Sequence, residues 1–142
     1  MSQKNQLGSR IMEPMNHELL LIKAFVIKER QERYINLIAT AKGRKKFRTY
    51  TPHFKDLNAK YCTPLHSLRS YSQLHELLKS DGAFDMCYII SENSQYDTKS
   101  FSLINAAMQL FNSGIACFIS CIPGKLVYYA GEEGDQRFLL KA

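Results

Sequence analysis

The C-terminal part of the chain alternates short apolar segments with turn sequences, and this alternation constrains the fold more than any other feature. Residues 115–121, 126–130 and 137–140 are the apolar segments, each of a length typical of a β-strand. The first two are separated by Ile122-Pro123-Gly124-Lys125, in which proline and glycine occupy the central positions of a type II turn. Residues 131–135 are a second turn sequence. Since strands joined by such short loops pair in antiparallel fashion, the sequence predicts a three-stranded antiparallel meander.

A fourth apolar segment and a helical pattern precede this meander. Residues 86–90 are uniformly apolar, which indicates a buried strand. A helix is predicted to begin at Ser100 or Ser102 and to end before Gly114. Because this helix connects the strand at 86–90 with that at 115–121, we expect these two strands to run parallel.

Helical periodicity dominates the N-terminal half. Residues 28–41 and 70–82 place apolar side chains three and four positions apart, and a further helix follows a weak break at residues 39–43. Pro52 interrupts that helix, because proline removes a backbone donor and clashes with the preceding turn. Residues 18–27 form a mostly apolar stretch that is too short to distinguish a buried strand from the first turns of a helix.

These patterns predict an α+β fold, in which N-terminal helices cover one face of a mostly antiparallel sheet of about four strands. The C-terminal half has the element order β-α-β-β-β. We expect residues 1–15 to be a mobile polar tail and residues 16–142 to be a single domain. Within that domain, the helical part is at 16–82 and the sheet part at 83–142.

The distribution of apolar residues does not favour a membrane protein. The most apolar stretch, residues 18–27, is about ten residues long and contains Lys23, whereas a bilayer span needs roughly 20 residues. The same stretch lacks a small-residue cleavage signal, so it makes a poor signal peptide. We therefore expect a cytoplasmic protein with no membrane partner, whose four cysteines are reduced thiols.

Positive charge is concentrated in the first part of the chain. Residues 1–60 contain 13 Lys and Arg against 5 Asp and Glu, whereas residues 61–142 contain 6 against 8. The densest cluster has five cations and no acid within seven residues, and two arginines of the preceding helix join it if the helices pack as a hairpin. The cluster and these two arginines are Lys42, Arg44, Lys45, Lys46, Arg48, Arg30 and Arg33.

Such a concentration of positive charge attracts polyanions and makes their affinity depend on salt. The sequence therefore predicts an anion-binding face on a binding or accessory protein, with nucleic acid or an acidic protein surface as the partner. Tyr34, Phe47 and Tyr50 lie between the cations, but their spacing places them on the inner side of the helices, where they do not stack on bases. The alternative is a solvated helix face that only keeps the protein soluble.

Polar residues in the second half are compatible with a different class of function, a small hydrolase-like enzyme. Its site would lie where the loop after residues 86–90 meets the predicted hairpin, and it would contain Ser91, Glu92, Asp97, Ser120, Cys121 and Lys125. A nucleophilic cysteine would need a histidine or another group that stabilises its thiolate. The candidate histidines, His53, His66 and His75, lie in the helical half, and the sequence does not place them in space.

Motifs for cofactors and metals are weak. The Gly-Lys pair of the hairpin has Ile119 where a phosphate-binding loop requires glycine. Cys117 and Cys121 would be about 13 Å apart on a strand, too far to share one zinc ion. The Asp-Thr-Lys sequence after the first strand lacks the second carboxylate that a magnesium-dependent nuclease needs. We therefore predict no metal and no cofactor, and a homo-oligomer only if copies associate through an exposed strand edge.

Overall fold

The computed structural model describes residues 14–132 and 136–142 of the chain. The predicted tail, residues 1–15, lies outside these ranges except for Pro14 and Met15, which belong to the first helix. The last three residues of the predicted turn at 131–135 lie outside them as well. Within the described ranges, no helix is both long and apolar enough to cross a bilayer.

The described ranges contain five α-helices and six β-strands, which confirms the α+β class. The helices are α1 (Pro14–Phe25), α2 (Lys28–Ile38), α3 (Ala41–Thr49), α4 (Tyr71–Ser80) and α5 (Leu103–Leu110). The strands are β1 (Cys62–Pro64), β2 (Met86–Ser91), β3 (Ser100–Ser102), β4 (Cys117–Ile122), β5 (Leu126–Ala130) and β6 (Arg137–Lys141). Two short 3₁₀ helices, Thr51–His53 and Ala59–Tyr61, follow α3, and residues 18–25 are helical.

The C-terminal meander has the predicted form. β4, β5 and β6 pair in chain order and antiparallel. Gly124 has a φ of 72°, and the amide of Lys125 donates to the carbonyl of Ile122 at 2.9 Å. These are features of a type II turn, whose third residue needs a positive φ that glycine adopts without strain.

The sheet has the strand order β1-β6-β5-β4-β2-β3, and every neighbouring pair is antiparallel. The predicted parallel arrangement of the strands now labelled β2 and β4 is therefore wrong. After β2 the chain turns back through residues 92–99 and forms β3 along the outer edge of β2, so that α5 connects β3, and not β2, with β4. β3 and β4 flank β2 and run in the same direction, as a helical crossover requires.

Helices cover both faces of the sheet, whereas the sequence predicted helices on one face. Successive residues of β2 point to opposite sides, so Cys87 and Ile89 face α4 and α5, while Tyr88 and Ile90 face α1, α2 and α3. β4 and β5 are buried along almost their whole length for the same reason. α4 and α5 have apolar faces of their own, and the second face of the sheet is where these faces are buried.

The three N-terminal helices form the layer that positions the candidate site. α2 and α3 pack against each other, and Thr40, the N-cap residue of α3, accepts a hydrogen bond from the amide of Gly43. A Cβ atom at Gly43 would lie 2.2 Å from the carbonyl oxygen of Leu37, so only glycine permits this close approach. Phe47 is buried on the inner side of α3 and thereby fixes which cations of that helix point to solvent.

Candidate functional site

Arg44 points inward from α3 and pairs with two buried carboxylates. Its Nε and Nη2 atoms each donate to one oxygen of Glu18, both at 2.8 Å, and Nη2 also donates to Oδ1 of Asp97 at 2.9 Å. The side chains of Glu18 and Asp97 are 5% and 6% exposed, and that of Arg44 is 14% exposed. Burial alone would lower the pKa of Arg44, but the hydrogen bonds and charges of both carboxylates raise it above its ordinary value. The charge of Arg44 is thus neutralised within the protein.

A polar network extends from Glu18 to the centre of the sheet. The hydroxyl of Tyr88 donates to Oε2 of Glu18 at 2.6 Å, and burial, together with this hydrogen bond, raises the pKa of Tyr88. The ring of His17 stacks on that of Tyr88 with centroids 5.0 Å apart, and its Nδ1 lies 2.8 Å from Oγ of Ser120. Polar side chains therefore connect α1 and α3 with β2 and β4.

Asp97 reaches Arg44 from the loop between β2 and β3. Its Oδ1 also accepts a hydrogen bond from the amide of Ser91 at 2.9 Å, which ties the loop to the end of β2. The next residue, Thr98, has a φ of 62°, in the left-handed region that β-branched residues rarely adopt. The amide of Thr98 donates to the carbonyl of Ile89 at 2.9 Å and holds this conformation in place. The loop therefore stores backbone strain next to the carboxylate that it presents to α3.

Three lysines of α3 remain exposed and line a groove of about 550 Å³. We call it the lysine groove, and its lining residues are Leu37, Thr40, Lys42, Gly43, Lys45, Lys46 and Thr49. Among the residues that the structure describes, no carboxylate lies within ion-pair distance of these three groove lysines. The hydroxyl of Thr49 donates to a backbone carbonyl of α3 at 2.6 Å. The lining of the groove thus includes three lysines and no acidic residue.

The other predicted anion-binding residues are three arginines with different surroundings. Arg48 is 30% exposed, and its Nη1 lies 3.9 Å from Oδ2 of Asp97, near the limit of an ion pair. Arg33 is exposed on α2, donates to the hydroxyl of Tyr50 at 3.2 Å, and places its guanidinium 5.8 Å from the centre of that ring. Arg30 is exposed on the same helix. The structure brings α2 and α3 together as a hairpin, with the lysines on one helix and Arg30 and Arg33 on the other.

The residues of the alternative enzyme site are distributed over both faces of the sheet. Ser120 points toward α1 and contacts His17, which is not one of the three histidines that the sequence suggested. Cys121 belongs to the opposite core, beneath α4 and α5, so the side chains of these two neighbours do not meet. Glu92 and Lys125 are exposed.

The buried members of that set have structural hydrogen bonds. The hydroxyl of Ser91 donates to the carbonyl of Ala116 at 2.7 Å and accepts from the amide of Asn93 at 3.1 Å. It therefore joins the ends of β2 and β4, and it is fully buried there. Asp97 accepts hydrogen bonds from Arg44 and from the amide of Ser91.

Three of the four cysteines lie in the core beneath α4 and α5, and we call them the core cysteines: Cys87, Cys117 and Cys121. Burial raises the pKa of Cys87 and of Cys117 to about 12. Burial also raises the pKa of Cys121 well above its usual value, so its thiol stays protonated near neutral pH. The proposed nucleophilic cysteine is thus placed in a site that disfavours the thiolate.

The sequence did not point to Glu18, His17 or Tyr88 as members of the polar network. Glu18 borders the most apolar stretch of the chain, and a carboxylate in such a segment needs a buried partner. That position was a usable signal. No local pattern identifies the partners, however, because Arg44 is 26 residues from Glu18 and Asp97 is a further 53 residues away.

In the part of the chain that the structure describes, no three His, Cys, Asp or Glu side chains are grouped so as to hold a metal ion. The protein thus has an α+β fold, a buried ion network at Arg44 and a groove lined by three lysines. No protein-family model matches the chain, and no curated protein or solved structure is significantly similar to it.

Proposed function

We propose that the protein acts by binding an anionic partner through the lysine groove, as an accessory or regulatory subunit. The contrast between the cations of α3 carries this proposal. Arg44 is neutralised by two carboxylates, whereas the groove lysines have no acidic side chain among their groove neighbours. Three such ammonium groups produce a positive potential that attracts polyanions. In this proposal Arg30 and Arg33 extend the binding surface along α2, Arg48 lies at its boundary, and Arg44 is not part of it.

The stability of α3 does not explain Lys42. Lys42 lies in the first turn of the helix, which contains no acidic residue, and the helix dipole disfavours a cation there by about 0.3–1 kcal/mol, whereas it favours Lys46 in the last turn. Lys42 and Lys46 are four residues apart, a spacing at which like charges cost a further ~0.2–0.5 kcal/mol. The charge of Lys42, which reduces helix stability, fits a role in contacting a partner better than a role in the fold.

The ion network gives the groove a fixed base. Arg44 connects α3 to α1 through Glu18 and to the loop after β2 through Asp97, so the helix that bears the lysines is held on the sheet. A binding surface on an ordered helix loses less conformational entropy when the partner arrives. Arg44 therefore contributes to binding through the position of its neighbours.

Heparin, a sulfated polyanion, provides a test that does not depend on the identity of the partner. The groove variant carries Lys42→Gln, Lys45→Gln and Lys46→Gln, and the control variant carries Lys23→Gln, Lys28→Gln and Lys55→Gln at exposed lysines outside the groove. Both variants lose the same charge, so a groove-specific effect separates them. We expect the wild-type affinity to fall steeply as salt rises, and only the groove variant to bind at least about tenfold more weakly. Binding that is insensitive to salt, or equal losses in both variants, would contradict the proposal.

One contact favours the alternative, a small hydrolase-like enzyme. Oγ of Ser120 lies 2.8 Å from Nδ1 of His17, a distance suited to a nucleophile and its base. Ser120 is, however, fully buried, and a substrate needs access to it. A fluorophosphonate probe separates the two functions: covalent labelling of the wild type that is lost in Ser120→Ala would favour the enzyme.

The proposed setting is the cytoplasm. All four cysteines are free, and that compartment keeps thiols reduced. Association of copies would use β1 or β3, the two outer strands, each of which is three residues long. Light scattering during size-exclusion chromatography tests this, since a mass of 16.4 kDa would exclude an oligomer under the conditions used.

A further inference from the structure

We infer, resting on the function proposed above, that the lysine groove binds the phosphodiester backbone of nucleic acid and does not read its bases. The partner is thereby assigned to one of the two anionic classes, nucleic acid rather than an acidic protein surface. Three features of the groove support this assignment: the type of its cations, their spacing, and the position of the nearby aromatic rings.

The type of cation favours nucleic acid over a protein surface. Every cation that lines the groove is a lysine, a point charge that also binds phosphate oxygens. Protein interfaces are enriched in Tyr, Trp and Arg and depleted of Lys, so a lining of three lysines and no aromatic residue favours nucleic acid.

The spacing along α3 fits a row of phosphates. Lys42 and Lys46 are about 6 Å apart along the helix axis, and Thr49 lies about 10 Å from Lys42. One strand of duplex DNA carries a charge about every 3.4 Å along its axis, so a groove of this length meets about three phosphates. The hydroxyl of Thr40 accepts the amide hydrogen of Gly43 and retains its own proton, which it can donate to a phosphate oxygen.

The aromatic rings near the groove are not available to bases. Tyr34 and Phe47 are 5% and 1% exposed, and the guanidinium of Arg33 lies over the half-buried ring of Tyr50. Sequence-independent binding of single strands uses exposed aromatic platforms, and none of the lining residues is aromatic. Affinity then depends on phosphate contacts, which position the nucleic acid but do not specify its sequence.

Fluorescence anisotropy with a short labelled duplex DNA, and with a polyglutamate of equal charge, tests this inference on the full-length protein. Three phosphate contacts at the groove lysines contribute about −2.7 to the slope of the logarithm of the association constant against that of salt, or roughly 40-fold weaker binding at 200 mM than at 50 mM salt. In the groove variant, which keeps Arg30 and Arg33, we expect at least about tenfold weaker binding and a slope smaller in magnitude by about 2.7, whereas the control variant stays within about threefold of the wild type. Circular dichroism checks that both variants remain folded.

The remaining outcomes separate this inference from the function on which it rests. We expect A·T-rich and G·C-rich duplexes to bind equally within about twofold, and polyglutamate to bind at least about tenfold more weakly than either. Polyglutamate that binds as tightly as DNA would assign the groove to an acidic protein and overturn the inference, while the heparin result stands. A strong preference for one duplex would overturn the absence of base contacts. If the groove variant and the control variant also lost the same heparin affinity, the proposed function itself would be contradicted.

Discussion

Replacing Arg44 by methionine would leave Glu18 buried without its cation and Asp97 with only Arg48, 3.9 Å away. Removing one partner of a buried ion pair costs about 3–5 kcal/mol, because the remaining charge stays desolvated. Methionine keeps much of the aliphatic volume, so most of that loss reflects charge and not a cavity. A chain of 142 residues unfolds with roughly 7–20 kcal/mol, and the substitution therefore removes a large fraction of its stability. The melting temperature should fall by roughly 10 °C or more.

Urea denaturation followed by circular dichroism measures this loss, and two further variants make it specific. Lys46→Met removes a cation from the exposed side of the same helix and should change the unfolding free energy by no more than about 0.5 kcal/mol. The triple variant Glu18→Gln, Arg44→Met, Asp97→Asn removes all three charges and should recover a substantial part of the loss, since no buried charge remains unpaired. An Arg44→Met protein within about 1 kcal/mol of the wild type would show that the network contributes little to holding α3.

Three further predictions concern the backbone and the core. Gly43→Ala should destabilise the protein by about 1–2 kcal/mol in urea titrations, because the new Cβ meets the Leu37 carbonyl. Helix propensity alone predicts the opposite, a gain of about 1 kcal/mol. A more stable variant would contradict the close helix contact. Thr98→Gly should stabilise by ~0.5–1 kcal/mol by releasing positive-φ strain, whereas Thr98→Ala should not; equal effects would argue against strain. Burial raises the pKa of Cys87 and of Cys117 to about 12, so their stabilising contribution is complete below pH 9 and is lost as pH rises toward 12. The unfolding free energy should fall by up to about 1.4 kcal/mol per pH unit for each, a slope that Cys87→Ala should reduce and that a flat profile between pH 9 and 11 would refute.

The elements that the sequence predicts well are those specified by interactions between residues close together in the chain. Pro123 and Gly124 specify a turn without help from the rest of the chain, and the meander follows from that turn. Ser70 as N-cap of α4 is likewise a local signal, because its hydroxyl accepts from the amide of Gln73. Such interactions span only a few residues, so a single sequence contains the information they need.

The direction of β2 relative to β4 could not be predicted because it depends on an element with almost no signal. β3 consists of Ser-Phe-Ser, too short and too polar to show strand periodicity. Its pairing with β2 nevertheless reverses the chain and changes a parallel pair into an antiparallel one. The second helical layer, by contrast, did have a signal: residues 86–90 are apolar at every position except the tyrosine hydroxyl, and a strand without polar alternation is covered on both faces.

Helical geometry separates the cations of α3 into two groups. With 3.6 residues per turn, Arg44 lies about 60° from the buried Phe47 around the helix axis, and Arg48 lies about 100° away on the same side. Lys45 is about 160° away, on the side opposite the core, and Lys46 and Lys42 lie about 100° and 140° away in the other direction. Arg44 is 14% exposed with two carboxylates and Arg48 is 30% exposed near one, whereas the three lysines are exposed and no carboxylate of the described residues lies within ion-pair distance of them. The phase set by one aromatic residue therefore distinguishes cations that anchor the helix from cations that are free for a partner, whereas charge density alone groups them together.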